Sequence, residues 1–340
     1  MQKPVINASY DFLFAKLHGL WANSAKEDRL TQLINCGTEE ELFRLLGEHG
    51  VDVSQRNLFH RNLLLREIHS LAGLAAQLDQ QTADFYRAFY ERTYFENVKV
   101  LLHYRFFPER EVAIDQLLVP IPGLPKIHAA EILKQDSTDD FLQAMQPALY
   151  PAEIDATVRK LADDKDIKSA ESEFDKLAYR HLLIHAERTP LTVRAACTAL
   201  VKLEIDIVNL CMLMRIIRTY HLEEEEVKTI WIHGGTISTE SLSSLSGLKT
   251  LSELVAKLPS MFREPLRPFT EAELYVSENT LWKLLYKQVK RYFADYNHME
   301  LSIVAFPFLR HFESLNIGRI YQGIRFGMKP RDVQDMMICS

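Results

Sequence analysis

The stretch Leu203-Glu-Ile-Asp206-Ile-Val-Asn209-Leu210 places one acid and one amide three residues apart inside an apolar run of helical period. The same arrangement returns at Glu313-Ser-Leu-Asn316-Ile317, and a weaker copy stands at Tyr94-Phe-Glu-Asn97-Val98. The three Asn positions are 112 and 107 residues apart. Nine residues beyond the Asn, the second and third copies carry Arg218 and Arg325, where the first has Phe106. Asn is a poor helix-interior residue, and burying its amide without partners costs about 1–3 kcal/mol. Finding it at one place in three stretches implies a shared structural task, such as bonding an exposed backbone group of a neighbouring helix. An amide does not titrate, so catalysis is the weaker reading.

A second pattern lies upstream of each Asn. Thr38-Glu-Glu-Glu41, Ser137-Thr-Asp-Asp140 and Thr250-Leu-Ser-Glu253 each set a hydroxyl three residues before an acid, as a capping box requires. Apolar residues follow four and eight positions after each hydroxyl, which makes one buried stripe. Two patterns recurring in one order imply three tandem helical units of about 110 residues. The divisions fall near 118 and 230, giving units 1–118, 119–230 and 231–340. Pro120, Pro122 and Pro125 mark the first, and His233-Gly-Gly235 follows the second.

Each unit reads as short capped helices followed by a long one. Gln81–Phe107 stacks Phe95, Val98, Leu102 and Phe106 on one face. Pro190–Leu222 is a second long helix, with Lys202, Asp206 and Asn209 on one polar stripe and Glu204, Arg215 and Arg218 roughly opposite. The third runs from about Ser277 to Met328, and Pro307 is expected to kink or break it. The fold class is therefore all-α.

Composition narrows the function. The 340 residues favour about two to three domains, each with its own core. Only 12 Gly and 13 Pro argue against turn-rich sandwiches, barrels and doubly wound folds. A net charge of -6 without a long basic run excludes a nucleic-acid footprint. Cys36, Cys197, Cys211 and Cys339 stand far apart, in no metal or redox spacing, and read as reduced thiols. A span needs about 20 mostly apolar residues, and Ile205–Ile217 is interrupted by Asp206, Asn209 and Arg215. No secretory signal opens the chain, so a cytoplasmic protein without a membrane span is expected.

Candidate chemistry is thin. His181 and His185 share a helix face at zinc-helix spacing, but Leu182, Leu183 and Ile184 fill the interval and no third ligand stands nearby. Gly234-Gly235 before Thr236, Ser238 and Thr239 lacks the Lys of a phosphate loop. Glu223–Glu226 reads as an acidic first helical turn. No catalytic, cofactor or metal residue is assigned.

Phe308–Arg325 closely resembles the C-terminal signature of the C/d subunit family of V-type (V/A-type) ATPases. Leu203–Leu210 resembles the middle signature of that family, and Tyr10–Gly47 its first capped helices. Pro330–Ile338 resembles its short terminal helix, so the likeness spans nearly the whole chain. Tyr94 replaces the usual acid, and His311-Phe312 replaces a Lys/Arg-Glu neighbourhood. The resemblance implies a funnel of three similar units around a pseudo-threefold axis. It implies a non-catalytic component that joins the central-stalk subunits to the membrane proteolipid ring during proton or sodium transport, peripheral to the membrane. The residues assigned to structure or interface are Asn97, Asp206, Asn209, Arg218, Glu313, Asn316 and Arg325. A free-standing helical scaffold, and an enzyme with a site near His181 and His185, are the competing classes.

Overall fold

The computed structural model describes residues 9–48, 50–54, 56–107, 113–219, 227 and 229–339. Short helices α1 (Tyr10–Ala22), α2 (Glu27–Ile34) and α3 (Glu39–Glu48) lead to α4 (Phe59–Ala75) and the long α5 (Gln80–Phe106). Next come α6 (Ile114–Leu117), α7 (Ala129–Ile132), α8 (Thr138–Met145) and α9 (Pro151–Asp164), then α10 (Ile167–Ala186) and the long α11 (Leu191–Arg218). The last third holds α12 (Thr239–Ser246), α13 (Leu251–Lys257), α14 (Ser260–Leu266), α15 (Leu274–Phe293), α16 (Leu301–Arg325) and α17 (Pro330–Asp335). No strand occurs among the described residues, and the fold is all-α. The acidic run Glu223–Glu226 lies outside them.

The capping boxes form with one variation that side-chain length explains. Thr38, Ser137 and Thr250 each accept the backbone N–H three residues on, at 3.0–3.2 Å. Glu41 and Glu253 reach back one residue past the cap, to the N–H of Gly37 and Lys249. Asp140 is a methylene shorter and takes the Ser137 hydroxyl instead, at 2.7 Å.

Pro307 does not break its helix into two; it sits inside α16. A proline deprives the carbonyl four residues earlier of its N–H partner. Here that carbonyl is Ile303, and the fully buried Tyr86 hydroxyl of α5 donates to it at 2.7 Å. The helix break falls earlier, at Ala294–Glu300, where the Asp295 carboxylate accepts the N–H groups of Asn297 and His298 and closes a turn. Tyr86→Phe strands the Ile303 carbonyl in the core. A loss of about 1–3 kcal/mol is expected, with a lower thermal midpoint and unchanged helical circular dichroism at low temperature.

The long helices pack in an order that returns on itself. Helix α4 lies on α5, α5 on α10, α10 on α11, α11 on α15, α15 on α16, and α16 on α4. Each last long helix therefore packs against the penultimate helix of the next stretch of chain. One continuous apolar core follows, running from Leu13 to Ile338, where length alone favours separate cores. A smaller cluster joins α2 and α3 to Ile317, Ile320 and Tyr321 of α16 and to Val333 of α17, so the two ends of the chain share it.

Candidate functional site

The three Asn side chains do the same thing. Asn97 Nδ2 donates to Val119 O at 2.7 Å, and its Oδ1 accepts the Val119 N–H at 2.9 Å. Asn209 holds both backbone groups of Ile232 at 2.8 and 2.9 Å. Asn316 holds both backbone groups of Ile338 at 3.3 and 2.8 Å. The clamped residue lies 22, 23 and 22 positions downstream. All three amides are buried. The partner is irregular chain beyond the helix, not a neighbouring helix as the sequence suggests. Such chain has backbone groups with no ladder to satisfy them, and a carboxamide offers both a donor and an acceptor to one residue.

The acid three residues before the Asn has an equally regular role. Asp206 accepts the N–H groups of Thr236 and Ile237, both at 3.0 Å, together with the Thr236 hydroxyl. Burial pushes its carboxyl above the usual range, against the pull of these donors. Gly235 is required here, because a Cβ would collide with Asp206 Oδ1. Glu313 accepts the N–H of Ala25 at 2.9 Å, tying α16 to the segment before α2. Ile237 and Ala25 each stand 13 residues before a capping hydroxyl, Thr250 and Thr38, so the two acids hold equivalent positions. Tyr94 departs from this: its hydroxyl accepts the N–H of Ala148 at 2.9 Å.

A buried charge junction links α4, α5, α11 and α16. Arg92 of α5 meets Glu204 of α11 at 2.7 Å, lies over the Phe89 ring at 4.2 Å, and shares Glu204 with the Tyr179 hydroxyl. Glu67 of α4 meets His311 of α16 at 3.2 Å. Arg310 pairs with Glu313 and donates to Ser24 at 3.1 Å, and Arg66 stands 3.4 Å from Glu313. Burial on its own raises the Glu67 carboxyl, but the His311 imidazole, the Ser314 hydroxyl and the Arg92 guanidinium outweigh it and hold the group below its ordinary value of 4.5. A depressed pKa means that the unfolded chain binds the proton more readily. Glu67 thus stabilises the fold above pH 4.5, and that contribution is lost as the pH falls below it. Glu67→Gln is expected to flatten the fall in thermal midpoint between about pH 5 and pH 3.

The remaining candidates divide between the surface and the interior. Arg218 lies at the surface and donates to Ala272 O at 2.7 Å. Arg325 is exposed, and its charge helps burial to lower the pKa of His60. His181 meets Glu91 of α5 at 2.9 Å and stacks edge-on against His185 at 4.8 Å. Sequence reading misses Arg92, Glu67 and Glu91, because each finds its partner across 90 or more residues. No described helix is long and apolar enough to cross a membrane.

The chain matches the model of the ATP synthase (C/AC39) subunit family over residues 13–336. It is 24% identical over 216 residues to the C subunit of the A-type ATP synthase of Thermococcus kodakarensis, across 63% of this chain and 57% of that relative. The family match extends through the clamping Asn97, Asn209 and Asn316 and through the acids that precede the last two. The chain belongs to the ATP synthase (C/AC39) subunit family.

Proposed function

We propose that this chain is the non-catalytic central-rotor subunit of a V/A-type rotary ATPase or ATP synthase. In that role it joins the central-stalk subunits to the membrane proteolipid ring during proton or sodium transport. The observation that carries the reading is the cyclic packing of α4, α5, α10, α11, α15 and α16, whose last contact returns to the first helix. A part that transmits torque must resist shear, and a closed set of close-packed helices deforms little. Three units, 1–118, 119–230 and 231–340, arranged as a pseudo-threefold funnel, account for that packing. The three equivalent Asn clamps support the same arrangement.

Asn97 and Asn209 then fasten the first residues of the unit that follows, Asn316 fastens the end of the third, and Asp206 and Glu313 fasten early segments of the third and first units. Arg218 and Arg325 are read as contacts between units or toward carboxylates of the partners. The chain is placed on the cytoplasmic face, peripheral to the membrane through its complex. Affinity purification of the tagged chain from gently solubilised host membranes, followed by mass spectrometry, tests the reading. Nucleotide-binding head subunits and a small proteolipid are expected in fixed ratio. Recovery of the chain alone, from cells that express those subunits, overturns it and leaves a free-standing helical scaffold.

A further inference from the structure

Helix α15 carries Lys283, Lys287, Lys290 and Arg291, spaced so that they share one face. Among the described residues none of the four makes an ion pair, although the chain as a whole has a net charge of -6. Glu264 on α14 is taken by Arg263, and Asp295 just beyond α15 is taken by His298. Lys290 lies over the Trp21 ring at 6.0 Å and Arg291 over the Tyr292 ring at 5.6 Å, contacts that leave their charges unneutralised. Beside this row opens a groove of about 500 Å³ lined by Leu203, Met261, Leu284, Lys287, Lys290 and Arg291. Its apolar lining comes from three helices, and Met261 is half exposed. An unbranched thioether adapts to an incoming surface.

We infer that this groove is the docking site for an acidic, amphipathic helix of another subunit. The inference rests on the reading of the chain as one part of an assembly. Its chemistry follows from the lining. An apolar floor receives the apolar face of a helix, and a row of unpaired cations on one side selects for carboxylates at helical spacing.

The test uses the assembled complex, with a photoactivatable cross-linking residue placed at Gln288 on the groove wall. The expected product joins Gln288 to an acidic helical segment of a different subunit. In parallel, the double variant Lys287→Glu/Arg291→Glu is expected to retain that subunit at least about tenfold less, while Lys287→Arg/Arg291→Lys retains it. Both positions are exposed, and an unchanged thermal midpoint confirms the fold. A cross-link to lipid, to this chain itself or to nothing, or equal retention by the reversed variant, overturns the inference while leaving the assembly intact. A wild-type chain that purifies with no other subunit removes the rotary reading and the groove's partner together.

Discussion

Asn209→Leu lowers the stability of the chain by about 2–6 kcal/mol, with helical content retained below the transition. The figure follows from what the amide does. It satisfies both backbone groups of Ile232, and a leucine leaves the two buried and unpaired at about 1–3 kcal/mol each. Asn209→Asp gives an intermediate result, since a carboxylate still accepts the Ile232 N–H but offers its C=O no donor. The double variant Asn209→Leu/Asn316→Leu adds nearly in full, because the clamps hold separate segments and share no partner. Equilibrium denaturation with urea measures all three. An unchanged midpoint for Asn209→Leu would show that the clamp carries no stability.

Arg92→Met is the second large effect, at about 3–5 kcal/mol, because it strands the Glu204 carboxylate in the core. Glu204→Met alone strands the guanidinium at a similar cost. The double variant Arg92→Met/Glu204→Met restores most of the loss, since two apolar side chains of similar volume replace the pair without leaving a buried charge. The reversal distinguishes an ion pair from simple packing, for which the two losses would add. Phe89 sharpens the expectation: its ring already faces the Arg92 side chain at 4.2 Å and can pack on a thioether. Failure of the double variant to recover would mean that the Tyr179 hydroxyl, left without Glu204, dominates the site.

The sequence is most legible where the interactions are local. Apolar period and capping residues place α5 and the start of α11 within one residue, and the three capping boxes form at the expected hydroxyls. The recurrence of Asn97, Asn209 and Asn316 is visible because an amide is so poorly suited to a helix interior. Their partners are not visible, because irregular chain 22 or 23 residues away carries no side-chain signature of being clamped. Pro307 shows the opposite failure. The local rule is sound, but a hydroxyl 217 residues distant supplies the missing donor. The true break is carried by Asp295 and Asn297, turn formers that the proline overshadows. Gly234-Gly235 reads as a boundary from sequence, whereas the close approach of Asp206 is what demands a glycine at 235.

The charge junction is illegible in the sequence for the same reason of distance. Arg92 and Glu204 are 112 residues apart, and Glu67 and His311 are 244 apart. Each residue alone resembles an ordinary charge on a helix. Only the cyclic packing brings them together, and that packing gives them their energetic weight. Burial turns an ion pair worth little at a surface into one that is costly to break.

Electron microscopy of the complex purified from native membranes tests the rotor assignment most directly. The expected result is one copy of this chain per complex, seated between the foot of the central stalk and the proteolipid ring. Three similar helical lobes should surround the stalk axis, with Asn97, Asn209 and Asn316 at equivalent places. Density for the chain at the periphery of the complex, or lobes related by no common axis, would contradict the assignment.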